Sequence, residues 1–104
     1  MLVAYEVSLE VIRKLAPLVA LLAKHDRDLC DQVQRAASSV ALNLAEGQGQ
    51  VGGNRRRHYQ IAAGSAFEVR GALQVAEAWG WQLDTREVMP VLNRLIALLW
   101  GLRR

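Results

Sequence analysis

The chain of 104 residues carries 13 Lys and Arg against 10 Asp and Glu, and 52% of it is hydrophobic. One domain, residues 1–104, is the unit this length allows. Counting Gly as apolar and omitting Tyr raises the share to about 58%, above the roughly 45–50% of ordinary soluble domains. A body this small shelters only part of its chain surface, so a homo-oligomeric partner is expected to cover the remainder. The single cysteine, Cys30, excludes an internal disulfide framework and a zinc site of paired thiolates, and it suits a reducing cytoplasm. The longest uncharged apolar run, Leu15 to Ala23, is too short to span a bilayer; with Glu6 and Glu10 ahead of it, it reads as helix rather than export signal. No membrane association is expected.

Two prolines and an abundance of Ala, Leu, Glu, Arg and Gln predict an all-α fold. A first helix follows from the stripe Tyr5, Leu9, Ile12, Ala16, Val19 and Ala23, with a second stripe, Val11, Leu15, Leu18 and Leu22, beside it. Pro17 lies inside this helix and predicts a bend. Asp26 is placed to cap a second helix that buries Leu29, Val33, Ala36, Val40 and Leu44 and stops at Gly47. The glycine-rich stretch from Gly47 to Gly53 reads as a flexible connection.

A third helix is predicted from about Asn54 to Trp79 and Gly80, burying Tyr59, Ala62, Ala66, Val69, Leu73 and Ala76. Its small middle, Ala62 to Ala66, matches the run Ala36 to Ser39 in the second helix, so these two helices are expected to pack closely. Asp84 to Glu87 has the spacing of a capping box, and a fourth helix follows with Val88, Val91 or Leu92, Leu95, Leu98 or Leu99, and Leu102. Pro90 offers a later start, because proline is favoured at the first helical position. Four helices on short connections predict an antiparallel up-and-down bundle.

The search for chemistry excludes more than it finds. Gly47 to Gly52 matches G-x-G-x-x-G, but a helix precedes it where the nucleotide fingerprint needs a strand. No Glu has a His three positions later, as a bundle metal site would require. His25 and His58 are placed near helix starts and read as solvated. Cys30 lies beside Asp28 and Asp31, which disfavour a thiolate, so it reads as a core residue. No enzyme activity, cofactor or metal is therefore expected.

Two features remain. Gln32, Arg35, Ser39, Asn43 and Glu46 fall along one side of the second helix. They form either a solvent face or a polar seam in which Arg35 or Asn43 bonds to Ser65 or Glu68 of the third helix. Arg55, Arg56, Arg57 and His58 follow the glycine-rich stretch at a helix start, where the dipole opposes cations. Backbone donors and three guanidiniums there suit phosphate, whereas the plain alternative is a solubilising flank. Residues 1–52 hold 5 basic and 6 acidic side chains, and residues 53–104 hold 8 and 4.

The stretch from Gln32 to Gly47, followed by Ile61 to Ser65 and Glu68, resembles the bacterial four-helix-bundle family named for intervening sequences in large-subunit ribosomal RNA. Arg35, Ala36, Ser39, Asn43, Ala45, Glu46 and Gly47 match the family's run Arg-Ala-x-x-Ser then Asn-x-Ala-Glu-Gly. The resemblance implies a bundle assembling into a pentameric barrel. It also implies kinship with the accessory variability protein of diversity-generating retroelements, which is similar to a basic ring that binds nucleic acid. The chain departs from the family where aromatic residues often stand near the positions of Arg55 and His58.

The leading expectation is a non-enzymatic, ring-forming bundle that binds RNA or DNA backbone through Arg55, Arg56, Arg57 and His58, aided by Arg103 and Arg104. The alternative is an oligomeric scaffold that docks a protein partner on Trp79, Trp81 and Trp100, since tryptophan is enriched at interface hot spots.

Overall fold

The computed structural model describes residues 2–102, so Arg103 and Arg104 lie outside the described residues. Four helices follow in order: α1 (Val3–His25), α2 (Arg27–Gln48), α3 (Gly52–Ala78) and α4 (Val88–Leu102), with no strand among the described residues. α2 packs most extensively on α3; α1 lies against α2 and α4, and α3 against α4. The result is an antiparallel four-helix bundle of 43 × 23 × 19 Å.

Asp26 both ends α1 and starts α2. Its amide donates to the Leu22 carbonyl at 2.9 Å, and its carboxylate accepts from the Leu29 amide at 3.0 Å, satisfying one orphan donor of the new helix. α1 runs unbroken through Pro17, whose ring is exposed and whose missing donor falls on the wet side. The core stripe of α1 is not the first one expected. Ala4, Val7, Val11, Leu15 and Leu22 are buried, while Tyr5, Ile12, Val19 and Ala23 only lean on the core and Ala16 is exposed. Ser8 is also buried on that stripe, which it can be because its hydroxyl donates to the Tyr5 carbonyl at 2.6 Å.

The α2–α3 interface is built from small residues. Ala36 lies one turn from Ser39, on the side of α2 that meets α3, and Ala62, Ala63 and Ala66 are buried on α3, with Val40, Leu44, Val69 and Leu73 also buried. Side chains this short let the two backbones approach, as the matching small runs predict.

Gly47 does not terminate α2. The helix continues through Gln48 and is capped by Gly49 in a right-handed helical conformation, φ −88° and ψ 0°. Gly47 is instead a buried contact point: a Cβ there would drive into the Tyr59 ring, meeting Cδ1 at 2.9 Å. The connection is also shorter than expected, covering only residues 49–51, because Gly52 and Gly53 already belong to α3.

α3 ends in a Schellman motif. Gly80, at φ 83°, takes the left-handed position; its amide donates to the Glu77 carbonyl, and the Trp81 amide donates to the Ala76 carbonyl at 3.2 Å. Asp84 does not form the capping box of α4. Its carboxylate is taken by Arg86, through the Arg86 amide at 3.2 Å and two guanidinium nitrogens at 2.9 Å each. α4 begins at Val88, with Pro90 exposed in its first turn, where an amide donor is not needed.

Two outcomes test this account. Gly47→Ala should lower stability to urea by about 1–3 kcal/mol through overpacking on Tyr59. Much of that loss should be recovered when Tyr59→Leu is added. The side-chain hydrogen bond from Arg86, with its amide and charge, holds the Asp84 carboxyl at about 2 instead of 3.8. The depressed value means that the ionised form is favoured in the fold, a preference present above pH 3.8 and lost as pH falls through about 2. Carboxyl-carbon NMR titration of Arg86→Ala should return the Asp84 midpoint towards 3.8.

Candidate nucleic-acid interface

The start of α3 sets an uncapped helix end against the end of its neighbour. Val51 enters in an extended conformation, no side chain caps the helix, and its first turn contains no acid. Gly52, at φ 59°, lets the backbone turn sharply into the helix. The antiparallel hairpin brings this N-terminus beside the C-terminus of α2, and Arg55 Nε donates to the Gly47 carbonyl at 3.3 Å. A cation unfavourable to the α3 dipole is thereby favourable to the α2 dipole. This neighbour is the physical reason an arginine is tolerated there.

Arg56 and Arg57 are exposed and make no hydrogen bond or ion pair among the described residues. Gly52, Arg55, Arg56, Tyr59 and Leu102 line a notch of about 230 Å³. Two arginines and Tyr59 thus border one concavity beside an uncapped helix start, a set of residues suited to an oxyanion. Leu102 brings the C-terminal turn of α4 to the same end of the bundle, the end from which Arg103 and Arg104 continue in the sequence.

His58 is not a solvated side chain. Its ring is largely buried, with 17% exposure, and Nδ1 lies 2.9 Å from Asn43 Oδ1 and 3.4 Å from Glu46 Oε2. The Asn43 amide nitrogen is committed to the Ser39 carbonyl at 2.9 Å and the Ser39 hydroxyl at 3.1 Å. That orientation turns Oδ1 towards the imidazole and makes Nδ1 the donor. The Ser65 hydroxyl completes the chain by donating to Ser39 Oγ at 2.9 Å.

The polar side of α2 therefore is a seam, but with other pairs than the sequence suggests. Ser39 meets Ser65, and Asn43 meets His58. Arg35 and Glu68 are both exposed, with no bond between them. Arg35 instead borders an open groove with Leu42, Ser38 and Asn43.

The tryptophans divide between two ends. Trp79 is 70% exposed and stacks on the half-buried Trp81, with ring centroids 6.3 Å apart and planes within 14°. His25, which is the last residue of α1 rather than a helix start, stacks on Trp81 at 5.0 Å and 10°. Trp100 lies 50% exposed on α4 near the opposite end. Sequence reasoning missed the His25 stack, the role of His58 as the partner of Asn43, and the outward aim of Gly64 and Gly71. Space lies open above both glycines, with nothing within 4 Å of an added Cβ. Heptad spacing from Arg57 through Gly64 to Gly71 was the available signal for that last feature.

No group of three or more His, Cys, Asp or Glu among the described residues could hold a metal ion. No helix among them is long and apolar enough to cross a membrane.

A model of the family described as 23S rRNA-intervening sequence protein matches residues 1–100. No curated protein and no solved structure matches the chain.

The seam has a measurable consequence. Asn43→Leu strands the His58 and Ser39 polar groups in a half-buried site and should cost about 1–3 kcal/mol in urea denaturation. A double-mutant cycle with His58→Phe should return a coupling of about 1 kcal/mol, whereas additive losses would show that the two residues act separately.

Proposed function

The chain belongs to the 23S rRNA-intervening sequence protein family, and from that premise we propose a non-enzymatic protein whose copies close into a ring and hold nucleic-acid backbone. Five copies is the number the family resemblance implies. The observation that carries the reading is the outward face of α3. Ile61, Gly64, Phe67, Gly71 and Val75 follow one another there at steps of three or four residues, exposed or half-buried.

Gly64 and Gly71 each cost about 1 kcal/mol of helix stability relative to Ala, and neither gains any packing inside the protomer. A helix from another copy would use the missing Cβ atoms for close approach and cover Ile61, Phe67 and Val75. Leu42, 64% exposed on α2, adds apolar surface for the same purpose.

Arg57 stands seven residues before Gly64, on the same line of α3. Lateral assembly along that line would set Arg56 and Arg57 of successive copies around one rim, where repeated charge raises the local field. Contacts of this type fix position on phosphates and carry no base readout. The expected ligand is therefore RNA or DNA backbone without sequence preference.

Light scattering of nuclease-treated protein, paired with filter binding at two salt concentrations, tests both halves. Gly64→Leu and Gly71→Leu project into open space within the protomer, so they should leave helicity intact and reduce the assembly to lighter species. Replacing Arg55, Arg56 and Arg57 by Ala should leave the lateral ring in place and lower affinity for a single-stranded oligonucleotide by roughly tenfold or more, with a shallower salt dependence. A protomer mass at micromolar concentration defeats the ring. Affinity indifferent to salt and to the arginines defeats nucleic-acid binding and leaves a protein scaffold.

A further inference from the structure

The end of the bundle remote from the arginines carries an aromatic platform in an acidic setting. Three rings lie nearly parallel in the order His25, Trp81, Trp79, with Trp81 in the centre. Trp79 is stacked on one side and 70% exposed, so its other indole face is turned to solvent. The arrangement is fixed by the backbone: the left-handed Gly80 folds Trp81 back against the core and beneath Trp79.

The charge at this end selects what can sit on that face. Residues 24–31 and 77–87, which the antiparallel topology gathers here, hold three basic and six acidic side chains. Arg86 is already paired with Asp84, while Asp28, Asp31 and Glu87 make no hydrogen bond or ion pair among the described residues. A polyanion would be repelled. A flat cation is attracted twice, by the ring quadrupole and by the surrounding carboxylates. Arginine suits an open indole face better than lysine, because its guanidinium is planar and weakly hydrated.

The chain carries that cation at its other end. Arg56 and Arg57 are exposed and unpaired among the described residues, next to the α3 N-terminus, with the length of the bundle between them and Trp79. The geometry points to a second copy of this chain as the occupant: the arginine end of one copy docks on the Trp79 platform of the next, head to tail. Such a contact is heterologous, so it propagates along the bundle axis into stacks, distinct from the lateral contact proposed for α3. It depends only on the two ends, and it survives or fails independently of nucleic-acid binding.

Complementation by mixing tests it. Nuclease-treated Trp79→Ala keeps the arginine end, and a variant with Arg56→Ala and Arg57→Ala keeps the platform. Sedimentation velocity should show wild-type protein gaining mass with concentration, about fivefold or more weakly when salt rises from roughly 0.05 to 0.5 M. Each variant alone should stay at its basal lateral assembly, and an equimolar mixture should form a mixed species that does not grow further. Trp79 is mostly exposed, so its removal leaves the core intact; circular dichroism verifies this. No mixed species, or wild-type growth retained in both variants, overturns the proposal. So does quenching of Trp79 fluorescence by an oligoarginine peptide without any self-association, which would assign the platform to another basic protein. Quenching by an oligonucleotide that persists without Arg56 and Arg57 would assign it to bases, and overturns the proposal equally.

Discussion

Close approach between α2 and α3 is the constraint from which the other features descend. Ala36 and Ser39 on α2 and the buried Ala62 and Ala66 on α3 keep the side chains between the two helices short. Bulkier residues would hold the axes apart, and Ser39 could not reach Ser65 nor Asn43 reach His58. The seam in turn fixes register: a slip by one residue would strand at least four polar groups in a half-buried place. Gly47 against Tyr59 closes the same interface at its far end and delivers the α2 carbonyls to Arg55. The arginine-bearing turn is thus placed by packing that begins twenty residues away.

Glycine serves opposite purposes on the two sides of this pair. Gly47 is buried, and its missing Cβ makes room for a ring in the same chain. Gly64 and Gly71 look outward onto open space, where the protomer bears their helix penalty and recovers nothing. An uncompensated local cost, repeated on one line of a helix and flanked by exposed apolar residues, is what the proposed lateral contact would offset. Exposed apolar side chains occur on all four helices, and Ile61, Phe67 and Val75 set part of that surface beside these two glycines.

What could be read in the sequence followed how local each determinant is. α3 yielded Tyr59, Ala62, Ala66, Val69, Leu73 and Ala76 because one 3.6-residue pattern runs there, whereas Ala63 and Ala72, also buried, lie beside that stripe and were not read from it. α1 offered two apolar stripes, and periodicity could not choose between them; the buried one also carries Ser8, whose hydroxyl is satisfied by the Tyr5 carbonyl, a residue an apolar pattern does not select. Asp26 announced its cap because the partner amide is three residues on. His58 gave no sign of Asn43, fifteen residues earlier, since that pair exists only once the hairpin has closed. Asp84 misled for a related reason: its carboxylate had a cation two residues away that outcompeted the amides of a helix not yet begun.

The two uses assigned to the arginines do not exclude each other on geometry. A guanidinium donates to phosphate in its own plane, through its N–H edge, and meets an aromatic ring through its face. One side chain can therefore lie flat on an indole while its edge grips an anion. The unpaired edges of Arg56 and Arg57 in a head-to-tail contact would still face the seam between stacked copies, where the uncapped α3 amides also point. Salt weakens both interactions, but for different reasons: counterion release governs the phosphate contact, and plain screening governs the contact with the acidic platform. The first scales with the number of phosphates engaged and the second does not, so a change in nucleic-acid length moves one affinity and leaves the other where it was.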